Sequence, residues 1–162
     1  MTAESPARAS VTERVERALR EAGVAFEIIE HEPARTSEEA ARVRGTPLEE
    51  GAKALVMRAE ERDAHLVLPA HLKVDNAALR AILGTRKLRF ATPEELLTLT
   101  GCVPGAVPPL GNLFGLPVYL DEQLTQRERV VFNAGSTSVS IVMASADLVR
   151  VAAATICRFA RA

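Results

Sequence analysis

Ala52-Lys-Ala-Leu-Val-Met-Arg58, a charged Ala59–Asp63, and then His65-Leu-Val-Leu68 form the stretch on which the fold turns. Two apolar runs of strand length joined by a short charged segment predict a hairpin. Side chains alternate along a strand, so Lys53, Leu55 and Met57 share one face. A lysine on an otherwise apolar face is costly to bury without a partner. Either it snorkels to water from the strand end, or it points into a pocket, where its cation holds a phosphate or steadies developing negative charge.

Upstream, Ser10-Val-Thr-Glu13 has capping-box spacing, and Val11, Val15, Ala18, Leu19 and Ala22 recur at helical spacing until Gly23. Residues 1–9, small and polar, are expected to be flexible. Val24–Ile29 reads as a strand, broken by His31-Glu-Pro33. Thr36-Ser-Glu-Glu39 is a second capping box, opening a helix to about Arg44; Gly45, Pro47 and Gly51 make the connection turn-rich. Downstream, Asp75 caps a helix over Ala77–Leu83, Lys87–Phe90 is a short strand, and Thr92-Pro-Glu-Glu95 starts a helix that ends at Gly101. Further strands are predicted at Val118–Leu120, Val130–Asn133 and Val139–Met143. Ser145 caps a short turn before a strand at Val149–Val151. The tail Ala152–Ala162 reads as a terminal helix or a partly ordered end. With neither a βαβ rhythm nor a repeat, the expectation is an α+β fold: a single domain over residues 10–162, with a mixed, curved, barrel-like sheet flanked by short helices.

The bulk properties narrow the function. Of 162 residues, 48% are hydrophobic and 25% charged, a globular mixture rather than a disordered one. The net charge of −1 excludes the basic excess of a protein that grips long nucleic acid, so any RNA contact is local. Arg42-Val-Arg44 and Arg86-Lys-Leu-Arg89 are short basic clusters, read as solvated surface. Two distant cysteines, Cys102 and Cys157, fit a reduced compartment better than a disulfide scaffold. Met1–Arg20 lacks a signal-peptide run, and nothing approaches the roughly 18 apolar residues of a membrane span. A cytoplasmic protein is expected.

Three segments can carry chemistry besides Lys53. Gly101-Cys-Val-Pro-Gly-Ala-Val-Pro-Pro-Leu-Gly111 holds three Gly and three Pro in eleven residues. It is either a stiff turn or a rigid loop whose backbone N–H and C=O groups meet a ligand. Val131-Phe-Asn-Ala-Gly-Ser136 ends an apolar strand in small polar residues, as a pocket wall or an ordinary turn. His31 lies beside Glu32 at a strand end and either lines a cleft or is structural. His31, His65 and His71 have no metal spacing, and Cys102 reads as a packed thiol. Nucleophile-elbow, P-loop and dinucleotide motifs are missing from the sequence.

In order, His31-Glu-Pro-Ala-Arg-Thr36, Gly51-Ala-Lys-Ala-Leu-Val56, His65–Leu68, Lys87-Leu-Arg-Phe-Ala91, Glu94–Gly101, Gly105-Ala-Val-Pro-Pro-Leu-Gly111 and Phe132-Asn-Ala-Gly-Ser136 resemble the YbaK/ProX family of editing domains. That family is related to the insertion domain of some bacterial prolyl-tRNA synthetases. The resemblance runs from about His31 to Val151. It implies hydrolysis of the ester between a wrong, small amino acid and the 3′ acceptor end of an aminoacyl-tRNA, with tRNA-Pro as a candidate, by a free-standing deacylase. No metal or bound cofactor is implied; a synthetase is a possible partner. The family's strand lysine corresponds to Lys53 and its Gly-x-x-x-Pro element to Gly105–Pro109, so Lys53 and Gly105 are the expected catalytic positions. Substrate contacts are expected from His31, from Gly101, Val103, Pro104, Ala106, Val107 and Pro108, and from Asn133, Ala134, Gly135 and Ser136. Asn133 stands where alanine-clearing relatives often carry His, and Gly-Ala-Val-Pro-Pro replaces the Gly-Gly-Ile-Ser-Pro of YbaK-type members. These departures bear on which amino acid is cleared. The rival readings are a non-catalytic module binding tRNA or a synthetase, and a hydrolase of another small acyl ester.

Overall fold

A strand covered on both faces is apolar almost throughout, and β3 (Asp63–Pro69) is such a strand: every residue from Ala64 to Pro69 is buried. The computed structural model describes residues 10–60 and 62–162; the expected flexible N-terminus, residues 1–9, lies outside them. β3 pairs antiparallel with β2 (Ala52–Ala59), as the hairpin reading required, and parallel with β6 (Val118–Asp121) on its other side. β5 (Leu88–Phe90) adds to the far half of β2, and β9 (Thr155–Cys157) to β6, giving a five-stranded mixed sheet of order β5-β2-β3-β6-β9. A second, antiparallel sheet orders β1 (Phe26–Glu30), β8 (Val139–Ala144) and β7 (Arg129–Ser136). β4 (Lys73–Val74) and β10 (Ala160–Arg161) form a two-stranded pair.

The α+β class holds, but the sheet is not closed into a barrel. Among the described residues one bridge, Gly51 to Val131, links the residue before β2 to the second sheet. A single 3-10 turn at Leu48–Glu50 brings Gly51 against β7, after which β2 diverges from it. Because β5 reaches only Met57–Ala59, the Lys53 half of β2 keeps an open edge. The Gly51 carbonyl accepts Ala70 N–H on the β3 side, and the Val56 carbonyl accepts Ala91 N–H on the opposite side. Alternation therefore turns the N–H and C=O of Ala54 toward the open edge.

The helices follow their local signals. Ser10 and Glu13 close a complete capping box on α1 (Val11–Glu21), and Thr92 and Glu95 close one on α4 (Pro93–Thr100). Thr36 caps α2 (Ser37–Arg44) through the forward bond alone, to Glu39 N–H at 3.0 Å. Asp75 caps α3 (Asn76–Leu83). Val15 and Leu19 of α1 are fully buried in a cluster with Phe132, Ala134 and Ile141 of the second sheet. α3 buries Leu79 and Leu83 against Met57, Leu66, Leu68 and Phe159.

Three expectations are corrected. Val149–Val151 belongs to α5 (Ser145–Val151), not to a strand. Ser145 does not cap it; its hydroxyl donates to the Arg127 carbonyl and so ties the helix start to the approach to β7. The tail is neither helix nor fraying end: it forms β9 and β10. Buried Asp121 fixes it there, its Oδ2 accepting the N–H groups of Phe159 and Ala160 at 2.9 and 2.8 Å.

Candidate active site

The open half of β2 faces a cleft of about 190 Å3 whose other walls come from α2, the 101–111 loop and β7. Lys53, Leu55 and Ala54 line it, with Ser37, Ala40 and Arg44 of α2, Gly105 and Val107 of the loop, and Asn133 of β7. Lys53 is half-buried, and its ammonium makes no ion pair or hydrogen bond among the described residues. Burial, and secondly the charge of Lys73, push its ammonium below the usual lysine range.

The loop is held by its carbonyls. Asn133 Nδ2 donates to Gly105 O at 2.6 Å, Gly135 N–H to Ala106 O at 2.8 Å, and His65 Nε2 to Pro108 O at 2.9 Å. The N–H groups of Gly105 and Val107 have no acceptor among the described residues. Gly105 sits at φ +87°, a conformation that glycine reaches without strain. Gly135, at φ +88°, also lies where a side chain would meet Val11 at 2.9 Å.

His65 is wholly buried between β2 and β6, and burial lowers its pKa to about 4. Its Nε2 carries the proton given to Pro108, and Nδ1 has no partner among the described residues. Protonation is thus easier in the unfolded chain. Stability from this group is complete above about pH 6.5 and is lost as the pH falls through 4, a change of roughly 3 kcal/mol. Thermal melts from pH 7.5 to 4 should therefore fall more steeply for the wild type than for His65→Gln. Parallel slopes in the two proteins would remove His65 as the cause.

Of the expected site residues, Lys53, Gly105, Val107 and Asn133 meet in the cleft. His31 stands two hydrogen bonds behind it, reaching Arg44 through Ser140: Nδ1 faces the Glu32 carbonyl at 2.8 Å and Nε2 the Ser140 hydroxyl at 2.6 Å. Gly101, Val103, Pro104, Ala106, Pro108, Ala134, Gly135 and Ser136 do not line the cleft. Gly101 is the left-handed cap of α4, Val103 is exposed, and Ala106 and Ala134 are core. Pro108, Gly135 and, through Ser136 Oγ to Ser138 N–H, Ser136 serve the loop and the β7–β8 turn. Residues 133–136 are not a turn after the strand: they are β7 itself, carrying a bulge between Asn133 and Ser136. Cys102 is a packed thiol, 2% exposed, with its pKa raised by burial.

Sequence reasoning missed Arg44 and Ser140. Arg44 is not solvated surface like Arg42; it is turned in, its Nε donating to Ser140 Oγ at 2.8 Å and its Nη2 to Asn133 Oδ1 at 2.9 Å. A signal existed: Ser37, Ala40 and Arg44 share one helical face, and all three line the cleft. By contrast the 86–89 cluster behaves as read, with Arg89 paired to Glu95 at 2.7 Å on the surface.

The chain that builds this cleft is similar to known proteins. The model of the aminoacyl-tRNA editing domain matches residues 31–151. The chain belongs to that family. One editing-domain relative is the Multifunctional Ser/Thr-tRNA deacylase ProXp-y of Escherichia coli strain K12, 33% identical over 161 residues and covering 96% of each chain. The proline–tRNA ligase of Shouchella clausii is 28% identical over 109 residues, 67% of this chain but 19% of the ligase. A crystal structure of a candidate trans-editing enzyme for prolyl tRNA synthetase superposes with a TM-score of 0.84 at 29% identity, covering 99% of this chain and 100% of that one. The editing-domain match thus runs from the residue after β1 to the end of α5, the part of the chain that builds the cleft.

Proposed function

We propose that this protein is an aminoacyl-tRNA deacylase, acting on mischarged tRNA as a separate protein rather than inside a synthetase, with residues 10–162 as its editing unit. The observation that carries the reading is the pairing of an unpartnered lysine with two unpartnered loop amides, Gly105 and Val107, in one cleft. Attack of water on the ester carbonyl places negative charge on its oxygen. Fixed N–H donors and a nearby cation stabilise that charge without reorganising. Because the loop carbonyls are tied to Asn133, Gly135 and His65, the amides stay in place between turnovers. The open edge at Ala54 offers one more donor and acceptor to the substrate's polar groups.

Among the described residues, no carboxylate, imidazole or thiol lines the cleft. The proton removed from water therefore passes to the substrate itself, whose neighbouring ribose hydroxyl adjoins the reacting ester. The carbon–oxygen bond to the ribose then breaks, and that oxygen takes the proton. An aminoacyl ester is already activated, so positioning carries much of the rate. The cleft is small, and its floor of Ala40, Ala52, Ala54 and Ala70 fits a small side chain. The Escherichia coli relative is named for serine and threonine, which makes these the first amino acids to test. The reaction would occur in the cytoplasm, where charged tRNA resides, with delivery by a synthetase as an option.

A panel of tRNAs charged with alanine, serine, cysteine, threonine or proline tests this directly. Serine or threonine ester should disappear with purified protein and persist without it. Survival of all five esters alongside measurable tRNA binding would replace the enzyme with a binding module.

A further inference from the structure

Resting on that reading, we infer that Arg44 is a substrate-contacting residue that binds the phosphate on the 5′ side of the terminal ribose. Arg44 ends α2 and faces the cleft from the wall shared with Asn133. Two of its five N–H groups are engaged, one by the Ser140 hydroxyl and one by the Asn133 amide oxygen. Both acceptors are neutral, and no carboxylate pairs with Arg44 among the described residues. A largely buried guanidinium without a counter-ion is costly to maintain. Burial accordingly lowers its pKa to about 10.

The bracing has a direction. Ser140 and Asn133 grip Nε and Nη2, which leaves Nη1 and the second hydrogen of Nη2 as a free fork. Such a fork matches two oxygens of a phosphate. Ser140 is itself wholly buried and held by His31 at 2.6 Å, so the guanidinium rests on a chain of fixed polar groups. His31 and Ser140 thereby become positioning residues for Arg44, which gives His31 a role although it never reaches the cleft.

The charge balance of the cleft says which part of the substrate Arg44 meets. Arg35, Arg44 and Lys53 line it, and among the described residues no acidic one does. An aminoacyl ester carries an amino group and no negative charge, so these cations are not complementary to the amino acid. The anions near the end of a charged tRNA are its phosphates.

Two pairs of small molecules differing by one phosphate test this. The first is adenosine against adenosine 5′-monophosphate, titrated calorimetrically into wild type, Arg44→Gln and Arg44→Lys. The second is the 3′-aminoacyl ester of each, carrying the amino acid identified by the charged-tRNA panel. Wild type should favour the phosphorylated member. Arg44→Gln should lose roughly 10- to 100-fold more on it than on its unphosphorylated partner, and Arg44→Lys should recover part of the difference. Equal losses on both members would make Arg44 a brace for β7 and β8 only and overturn the inference. If wild type hydrolyses neither ester, the deacylase reading falls, and the nucleotide titrations alone decide the role of Arg44. Melting curves show that each variant is folded before it is scored.

Discussion

Lys53→Ala should lower deacylation by about 100-fold or more, the usual cost of removing one fixed electrostatic contact from a transition state. The melting temperature should stay within a few degrees of wild type. Both halves follow from the same geometry. The Lys53 ammonium makes no hydrogen bond or ion pair among the described residues, so its removal orphans no partner. It also relieves the repulsion with Lys73 that, after burial, lowers the Lys53 pKa. What is lost is a cation facing Gly105 and Val107 across the cleft. Lys53→Met separates charge from packing, because it keeps most of the apolar stem beside Leu55. Single-turnover hydrolysis of charged tRNA should be equally slow in both variants. Full activity in Lys53→Met would mean that the stem matters and the ammonium does not.

Gly111→Ala should destabilise the fold by about 3 kcal/mol, near the upper end for overpacking. The reason is space, not backbone freedom. A Cβ at residue 111 would lie 2.6 Å from both Cβ and Cγ of His65 and 2.9 Å from Cγ2 of Val118. Neither neighbour can yield cheaply: His65 and Val118 are partners in the central parallel ladder and are 0% and 4% exposed. For a chain of this size the expected fall in Tm is roughly 6–12 °C. Activity at a permissive temperature should fall too, since a displaced His65 releases the Pro108 carbonyl. A differential melt checks the first effect and a deacylation assay below the lower Tm checks the second. A Tm within one degree of wild type would contradict the close packing of the loop's end on β3.

What could be read from sequence was what is encoded locally. The boxes at Ser10–Glu13 and Thr92–Glu95 need only four residues each, and both helices start where expected. The β2–β3 hairpin shows as two apolar runs around a charged break, and Lys53 was visible as the one charge on its face. Arg44 was not visible, because its burial depends on Asn133 and Ser140, 89 and 96 residues away. The same is true of the tail. Thr155–Cys157 is a strand only because β6 lies beside it, and three residues carry no periodicity of their own. The β-branched pair Val149 and Val151 pulled the reading toward a strand, whereas packing on the second sheet keeps the segment helical. Within the loop, sequence marked the whole of Gly101–Gly111, but contacts divide it into cleft-lining Gly105 and Val107 and residues that anchor them.

The position of the last strands has a bearing on how the chain is made. α3 and β4 leave the ribosome well before Phe159, which seals Leu79 and Leu83 from water, and before Ala160, which pairs with Val74. A nascent chain halted at α5 therefore lacks Phe159 beside Leu79 and Leu83 and leaves β4 unpaired, and partly exposed apolar surface and unpaired strand edges invite association. The last buried member of the second core, Phe159, arrives with the residues clasped by Asp121.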